Sequence, residues 1–301
     1  MTVLALALKR KQWEPFAFAS PSLFLIGLVI VFPLAYAFYL SLQNFDLSVG
    51  PGYEYVGAQN YTEALFRDGR FWGSVWNTAL IIAPSLALEL LIGLGIALLL
   101  NRPIRGRPVI TALLAIPPMV SPVMAAMAWR MMFGVKYGAI NNLGLQLGLI
   151  DVYFDWFSSP FISIVAVVLV EIWHNTPFMM LVLLAGLQSI PQELYEAAKA
   201  DGASAWQSFW SITLPLLKFT MAVAMMIRMI DLTKLFGLIF ILTYGGPGGS
   251  TETLAFNTFL VGFNDFRMSY ASALSYLIVL GVLVLTLAFL WVSRQREARA
   301  A

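Results

Sequence analysis

The sequence has no cysteine, a single histidine and few charged residues. Charged side chains make up 11% of the 301 residues, and 60% are hydrophobic. A soluble domain has about 25% charged residues, so this chain carries too little charge to cover water-soluble domains. The absence of cysteine excludes disulfides and thiolate metal sites, and the lone His174 excludes a multi-histidine metal site. We predict an integral membrane protein and expect no metal or cofactor in this chain.

The small excess of basic residues also limits the possible partners. Lys and Arg number 18 against 16 Asp and Glu, and the longest basic run is Lys9–Lys11. A nucleic-acid-binding protein carries a basic patch or stripe, which this sequence lacks. We therefore expect a lipid bilayer around the chain and no nucleic acid.

Long apolar stretches alternate with polar loops along the whole chain. A helix needs about 20 apolar residues to cross a bilayer. The stretches are Phe16–Leu42, Phe71–Leu100, Val109–Trp129, Phe161–Leu187, Ile212–Tyr244 and Met268–Ser293. The first is too long for the core of a signal peptide and is expected to stay in the mature protein. We predict an all-α domain of six transmembrane helices over residues 16–293, between an N-terminal segment 1–15 and a C-terminal tail 294–301.

The basic residues of the short loops fall on one side of this arrangement. Positive residues favour the cytoplasmic side of a membrane. They lie before the first stretch, between the second and third, and after the sixth: Lys9, Arg10, Lys11; Arg102, Arg105, Arg107; Arg294, Arg296, Arg299. Both termini, and the loop over residues 190–215, are therefore predicted to be cytoplasmic.

The loop over residues 190–215 has helical spacing but is slightly acidic. Pro191 suits the first turn of a helix, and Asp201-Gly202 is a stop signal. A second short helix is predicted from Ala203 towards Leu214. A helix that touched only lipid would favour basic residues and a large apolar face, and this loop has neither. We favour docking of a soluble partner, with an interfacial helix as the alternative.

The spacing within this loop resembles a known signature. Glu196-Ala197-Ala198, three residues, Gly202, nine residues and then Ile212-x-Leu214-Pro215 is similar to the signature loop of ATP-binding-cassette importer permeases. Further segments resemble the carbohydrate-uptake branch of that family: Tyr137-Gly138-x-Ile140-Asn141, Trp173-x-x-Thr176-Pro177-Phe178, Leu184–Pro191 and Leu242–Leu254. The chain departs from the family pattern at Phe219, where a proline is common, and at Gly237, where an acid is common.

The resemblance implies a type I importer permease, a transmembrane subunit that moves a carbohydrate or sugar derivative into the cell. It places the chain in the cell (inner) membrane of a prokaryote-type cell. It implies a second, homologous permease subunit, two ATPase subunits that bind ATP-Mg, and an extracytoplasmic solute-binding protein. The loop would be a coupling helix that docks on an ATPase through Glu196, Ala197, Ala198, Asp201, Gly202, Ala203, Leu214 and Pro215.

The chain itself is not expected to be an enzyme. No Gly-x-x-x-x-Gly-Lys-Ser/Thr phosphate loop occurs in it. The glycine-rich segment Gly245–Thr251 lacks the lysine and is interpreted as an external turn. ATP hydrolysis would therefore belong to another polypeptide.

Ionisable residues inside the apolar stretches are candidates for the solute pathway, because they are costly in a membrane. The candidates share faces of the fifth and fourth stretches: Arg228, Asp231, Lys234; Glu171, His174, Asn175. A structural alternative pairs Arg228 with Asp231, and Glu171 with Lys234. Glu89, alone in the second stretch, is interpreted as a structural pairing residue.

The charge on the fifth stretch raises a further hypothesis. With Gly237 in place of the second acid, Arg228 and Lys234 face only Asp231, which leaves a formal charge of +1. Glu171 could compensate it. Alternatively an anionic sugar could do so, held by Arg228 in a forked contact.

Two other functions deserve comparison with the importer. An ion-coupled secondary transporter could use Asp231, Glu171 and His174 as a proton relay, but it leaves the 190–215 loop unexplained. An intramembrane hydrolase needs a nucleophile and a base, and no convincing pair is present. The importer permease is the preferred prediction.

Overall fold

The structure is a computed structural model that describes residues 19–46, 50, 52 and 54–298. The predicted N-terminal segment 1–15 and the last three residues of the predicted tail lie outside the described residues. The helices are α1 Ala19–Ser41, α2 Gln59–Phe66, α3 Gly69–Leu100, α4 Arg107–Leu114, α5 Pro122–Met132, α6 Ala139–Gln146, α7 Pro160–Gln188, α8 Gln192–Ala200, α9 Ala205–Thr233, α10 Gly237–Leu242, α11 Leu254–Asn264 and α12 Met268–Ala298. A short antiparallel ribbon joins β1 (Gln43–Asn44) to β2 (Glu54–Tyr55).

The chain divides into two compact units, of which the first contains the described residues from 19 to 67 and residues 258–277. In this unit Asn60 fastens α2 to the end of α1, since its side-chain amide donates to the carbonyls of Ser41 and Gln43, each at 2.8 Å. Arg267 pairs with Glu63 at 2.8 Å. The apolar side chains of α1 are mostly exposed, as expected of a helix that faces lipid.

The second unit contains residues 68–257 and the chain from residue 278. Its central helix is α7. Within the most apolar stretch of each helix, 61% of α7 is buried but only 22% of α3. The helix α7 packs along α3 and also contacts α9 and α5. Side chains of α3, α7 and α9 form a common core around Met179, Leu183 and Leu217. This bundle positions the charged residues of the spans.

Five helices among the described residues are long and apolar enough to cross a membrane: α1, α3, α7, α9 and α12. The prediction of one helix over Val109–Trp129 is wrong. Pro117 and Pro118 interrupt it with a short 3₁₀ turn, and Val120 and Ser121 are extended. Proline lacks an N–H group and disfavours helical conformation in the residue before it. The third stretch is therefore two short helices, α4 and α5.

The fifth stretch also differs from its predicted bounds. The helix α9 begins at Ala205, so the second helix expected from Ala203 is continuous with the span. It ends at Thr233, and a separate helix, α10, begins at Gly237. The sequence stretch Ile212–Tyr244 is thus broken in its second half, at residues 234–236. At the C-terminus α12 continues past Ser293 to Ala298, so the predicted tail begins as helix.

Close packing between α3 and α7 depends on Gly93. A Cβ atom at this position would lie 3.0 Å from the Cβ of Met179 and 3.1 Å from the backbone N of Met180. Gly95, two residues later on the same helix, has no atom within 4 Å of such a Cβ. Gly93→Ala is expected to destabilise the purified protein by about 1–3 kcal/mol through overpacking. Gly95→Ala is expected to leave the thermal unfolding temperature unchanged or to raise it. Equal effects of Gly93→Ala and Gly95→Ala would contradict the close packing at Gly93.

Candidate functional site

The segment 190–215 forms a helix-turn-helix whose turn is closed by backbone hydrogen bonds. The helix α8 ends at Ala200, Asp201 caps it, and Gly202 adopts a φ of +81°. The N–H of Ala203 donates to the carbonyl of Ala198 at 2.9 Å, and that of Gly202 to Lys199 at 3.1 Å. This pair of bonds is the Schellman arrangement, which requires the left-handed conformation that glycine accepts without strain. The chain direction after α8 therefore depends on Gly202.

The following helix α9 is capped by side chains at its N-terminus and contains a π-helical turn in its first part. Ser204 and Gln207 form a capping box, in which each side chain bonds the other residue's backbone N–H. A π-helical turn over Phe209–Thr213 precedes Pro215. Because proline cannot donate to residue i−4, the wider turn lets the helix continue through Pro215.

The residues predicted to couple to an ATPase occupy different surroundings. Ala197, Asp201 and Gly202 are exposed, and Ala198 and Ala203 are half-buried. Glu196 is exposed on the face of α8 that also carries Tyr195 and Lys199. Leu214 and Pro215 lie within α9. Tyr195 is within 2.9 Å of the Thr213 hydroxyl, which fastens α8 to α9.

A cluster of buried charges joins three helices of the bundle. The guanidinium of Arg228 on α9 donates from Nε to Glu89 Oε2 at 2.8 Å and from Nη2 to Glu89 Oε1 at 3.0 Å. The same Nη2 donates to Glu171 Oε1 on α7 at 2.7 Å. Asn175 donates to that carboxylate oxygen at 2.7 Å. The side chains of Arg228, Glu89 and Glu171 are at most 5% exposed, so the cluster is shielded and fixed.

The remaining candidates on the fifth stretch are accessible. Asp231 and Lys234 are 51% and 62% exposed, with Asp231 Oδ1 at 3.7 Å from Lys234 Nζ. Asp231 Oδ2 lies 3.8 Å from Arg228 Nη1, beyond hydrogen-bond distance. Among the residues that the structure describes, the Asp231 side chain makes no hydrogen bond. Its carboxylate is therefore free to accept hydroxyl donors.

His174 differs from its predicted companions. It is buried, and its Nδ1 has no hydrogen-bond partner within the described part of the chain. The ring centroid of Trp173 lies 6.1 Å away. The structure therefore brings Glu171 to Arg228 and Asn175 to Glu171 but leaves His174 outside the hydrogen-bonded cluster.

These contacts correct one predicted pairing and confirm another. Glu171 pairs with Arg228, so the Glu171–Lys234 pair of the structural alternative is wrong. Glu89 does pair, as expected, and its partner is again Arg228. The expected charge of +1 counted the fifth stretch alone. With Glu89 and Glu171 of the neighbouring helices included, three carboxylates face Arg228 and Lys234, and the formal charge of the group is −1. The Nε and Nη2 donors of Arg228 are engaged by two acids, and the hypothesis that Arg228 holds an anionic sugar stays a prediction.

The two interrupted stretches lie side by side. The helix α5 packs extensively on α10. A Cβ at Gly237, the first residue of α10, would lie 3.2 Å from Cγ2 of Val123 in the first turn of α5. The break at Pro117–Ser121 is thus next to the break after Thr233. Transporter sites are commonly formed where discontinuous helices meet at membrane depth.

Sequence reasoning missed this junction and the partner of Glu89. The Pro117-Pro118 pair was a readable signal for the first break. Glu89 is the single charge of its stretch and so required a partner, but spacing along one helix does not reveal which neighbouring helix supplies it. Nothing in the sequence indicated that acids of α3 and α7 bind the same guanidinium on α9.

The glycine-rich segment after α10 is a turn fastened to α3. Asn77 donates to the carbonyl of Gly249 at 2.7 Å, and Arg70 Nε donates to Glu252 at 2.7 Å. The hydroxyl of Thr251 donates to Thr243 at 2.7 Å. The segment is thus held by protein contacts at both ends, which agrees with its interpretation as a turn.

Comparisons with known proteins identify the relatives of this chain. The family of binding-protein-dependent transport system inner membrane components matches residues 89–300. The trehalose/maltose transport system permease protein of Thermococcus litoralis is 40% identical over 92% of this chain and 92% of its own length. The sulfoquinovosyl glycerol transport system permease protein of Agrobacterium fabrum is 36% identical over 92% of this chain and 89% of its own length.

The same fold occurs in a solved transporter. A chain of a bacterial ABC transporter involved in the import of the acidic polysaccharide alginate superposes with a TM-score of 0.81 and 24% identity. It covers 97% of this chain, and this chain covers 98% of it. The fold, the helix-turn-helix over residues 190–215 and the family match agree, and the chain belongs to the family of binding-protein-dependent transport system inner membrane components.

Proposed function

We propose that this chain is the membrane-spanning permease subunit of an ATP-driven importer for a carbohydrate or sugar derivative. The helix-turn-helix α8–Gly202–α9 supports the ATP-driven class most directly, because it presents an exposed docking surface at the signature spacing. The names of two relatives, which transport trehalose/maltose and sulfoquinovosyl glycerol, support the sugar class.

The proposed complex contains four further subunits. A homologous permease would pair with this chain, two ATPase subunits would bind and hydrolyse ATP-Mg, and an extracytoplasmic protein would deliver the solute. In the proposed docking, the ATPase contacts Ala197, Ala198, Asp201 and Gly202, with Glu196 at the edge of the contact. ATP-driven closure of the ATPase pair would move α8, and α8 would move α9 through the Tyr195–Thr213 contact.

The proposed topology has six crossings with both termini in the cytoplasm of a cell with a prokaryote-type inner membrane. The third crossing would consist of α4 and α5 together. The distribution of Lys and Arg over the loops supports this orientation. Trp206 and Trp210, exposed at the start of α9, suit a membrane–water interface.

The solute pathway is proposed to pass the junction of the two interrupted stretches. Asp231 and Lys234 are accessible there, and a carboxylate and an ammonium can bind sugar hydroxyls. Arg228, Glu171 and Asn175 would form a buried layer behind Asp231 and Lys234. Buried His174 would lie next to this layer. The half-exposed Trp173 could offer an aromatic face.

Reconstitution tests the proposed function. The complex in liposomes, with the binding protein and solute outside and ATP inside, is expected to accumulate trehalose, maltose or a related sugar while ionophores abolish ion gradients. Omission of ATP is expected to stop uptake. Uptake that follows an imposed proton gradient and ignores ATP would overturn the proposal in favour of a secondary transporter.

The pathway assignment predicts a specific effect at Asp231. Asp231→Asn removes a charged acceptor and is expected to lower the rate of ATP-driven uptake at limiting solute about tenfold, the effect of a charge-assisted hydrogen bond worth roughly 1.5 kcal/mol. Stability is expected to stay unchanged, since Asp231 is half exposed. Asp151→Asn, an exposed carboxyl in the loop between α6 and α7, is the control. Normal uptake by Asp231→Asn would exclude Asp231 from the pathway.

A further inference from the structure

A cavity of about 460 Å3 with both polar and apolar walls lies beside the coupling helix α8. Its walls come from the ends of α3 and α7, the start of α4 and one face of α8. Buried Leu187 forms part of the wall at the end of α7. A volume of this size accommodates a small ligand or a headgroup.

Two cations open into this cavity. Arg107 begins α4, and Lys199 lies in the last turn of α8. Within the described residues neither side chain forms an ion pair or a hydrogen bond. The side chains of Glu196, Gln188 and Gln192 also line the cavity without hydrogen bonds in that part of the chain. The cavity thus offers two cations for an anion, together with a carboxylate and two amides for hydroxyl groups.

The position of the cavity along the spans indicates what occupies it. It lies where the apolar stretches of α3 and α7 end, which is the depth of lipid headgroups. The helix α4, which starts at Arg107, exposes Val109 and Leu113, an apolar surface suited to acyl chains. Basic pockets between membrane helices on the cytoplasmic side bind anionic headgroups.

We infer that this cavity binds the phosphate of an anionic glycerophospholipid headgroup, with Arg107 and Lys199 on the phosphate and Glu196, Gln188 and Gln192 on the headgroup hydroxyls. The inference takes the cytoplasmic side of α8 from the proposed function. Because α8 supplies one wall, the bound headgroup would link lipid composition to the position of the coupling helix.

A binding titration on the detergent-purified transporter complex tests this inference separately from transport. The probes are dioctanoyl-phosphatidylglycerol, dioctanoylglycerol without phosphate, and inorganic phosphate, each followed by native mass spectrometry or calorimetry. Phosphatidylglycerol is expected to bind and dioctanoylglycerol is not. Arg107→Gln and Lys199→Gln are each expected to weaken phosphatidylglycerol about fivefold, the worth of one basic residue near a headgroup.

Matched controls come from the same loop. Arg102 and Arg105 do not line the cavity, so Arg102→Gln and Arg105→Gln are expected to leave the affinity unchanged. Equal losses in all four variants would mean diffuse electrostatic attraction and would overturn the site. Inorganic phosphate that binds as tightly as phosphatidylglycerol would assign the cavity to a soluble phosphate compound and overturn the lipid. Loss of ATPase subunits from the Arg107→Gln and Lys199→Gln complexes, with lipid binding unchanged, would make the cavity a subunit interface instead.

Discussion

Gly202→Val is expected to abolish ATP-driven uptake while the chain still inserts and folds in the membrane. Gly202 holds a φ of +81° at the end of α8, a region that costs an ordinary residue about 1–2 kcal/mol and a β-branched residue more. The open space around its missing Cβ excludes a steric cause, since no atom lies within 4 Å. The effect would therefore come from the backbone alone.

That strain is expected to change the turn between α8 and α9 and to leave the membrane span unchanged. If residue 202 leaves the left-handed region, the bonds from Gly202 to Lys199 and from Ala203 to Ala198 are lost. The helix α8 then no longer keeps its angle to α9, although the span itself, starting at the Ser204 capping box, stays intact. We expect at least a tenfold loss of uptake and a weaker ATPase association in pull-down of the complex, at normal membrane yield.

Asparagine provides the matched control. It tolerates the left-handed region better than other residues with a side chain, so Gly202→Asn is expected to retain most of the uptake that valine removes. If valine and asparagine behave alike, either both active or both inactive, backbone conformation at residue 202 is not what couples α8 to transport.

The turn at Asp201-Gly202 was predictable from sequence because its geometry is local. A helix stop at Asp201-Gly202 depends on residues within one turn of it, and α8 ends where the sequence indicated. The continuation of the next helix through Pro215 was not predicted, since the π-helical turn at Phe209–Thr213 that allows it has no simple sequence signal. Local rules thus placed the turn but not the length of α9.

The long apolar helices were predictable for a different reason, since hydrocarbon thickness sets a length that composition alone reveals. That criterion does not detect a break inside an apolar stretch. Both interrupted stretches, at Pro117-Pro118 and after Thr233, were therefore assigned as single helices. The break after Thr233 contains no proline, and its position depends on tertiary contacts, including the Thr253 hydroxyl that donates to the carbonyl of Leu235 at 2.7 Å.

Charge partners were the least predictable feature. Spacing along α9 correctly put Arg228 and Asp231 near one another, yet they remain 3.8 Å apart, while Arg228 prefers acids on α3 and α7. Partner choice depends on which helices pack together and at what height, which one sequence does not contain. The packing of α3, α7 and α9 also buries Arg228 with its two acids and leaves Asp231 and Lys234 accessible.

Arg228→Met is expected to cause the largest loss of stability of any single substitution in the bundle. It leaves the carboxylates of Glu89 and Glu171 buried at 0% and 5% side-chain exposure without their cation. Removal of one partner of a buried ion pair costs about 3–5 kcal/mol. We expect little folded protein in detergent extracts and a strongly lowered thermal unfolding temperature. Lys234→Met, at a side chain 62% exposed, is the control and is expected to change stability by less than about 1 kcal/mol.

Arg228→Lys separates charge from geometry at the same site. An ammonium group restores the positive charge but cannot reproduce the two parallel bonds to Glu89 together with the third bond to Glu171. We expect stability between that of the wild type and that of Arg228→Met. Wild-type stability in Arg228→Met itself would show that the cluster does not hold the three helices together.

The variant Glu89→Gln, Glu171→Gln, Arg228→Met distinguishes a structural cluster from a functional one. Without ionised carboxylates the buried site no longer needs a cation, and an uncharged replacement of a buried ion cluster is often neutral in stability. We expect this variant to recover most of the folded yield that Arg228→Met loses. With the fold restored, ATP-driven uptake gives the answer: near-normal uptake would leave the solute contacts to the accessible Asp231 and Lys234. Abolished uptake in a stable complex would return Arg228, Glu89 and Glu171 to the transport cycle, as charges that must re-pair when the bundle changes conformation.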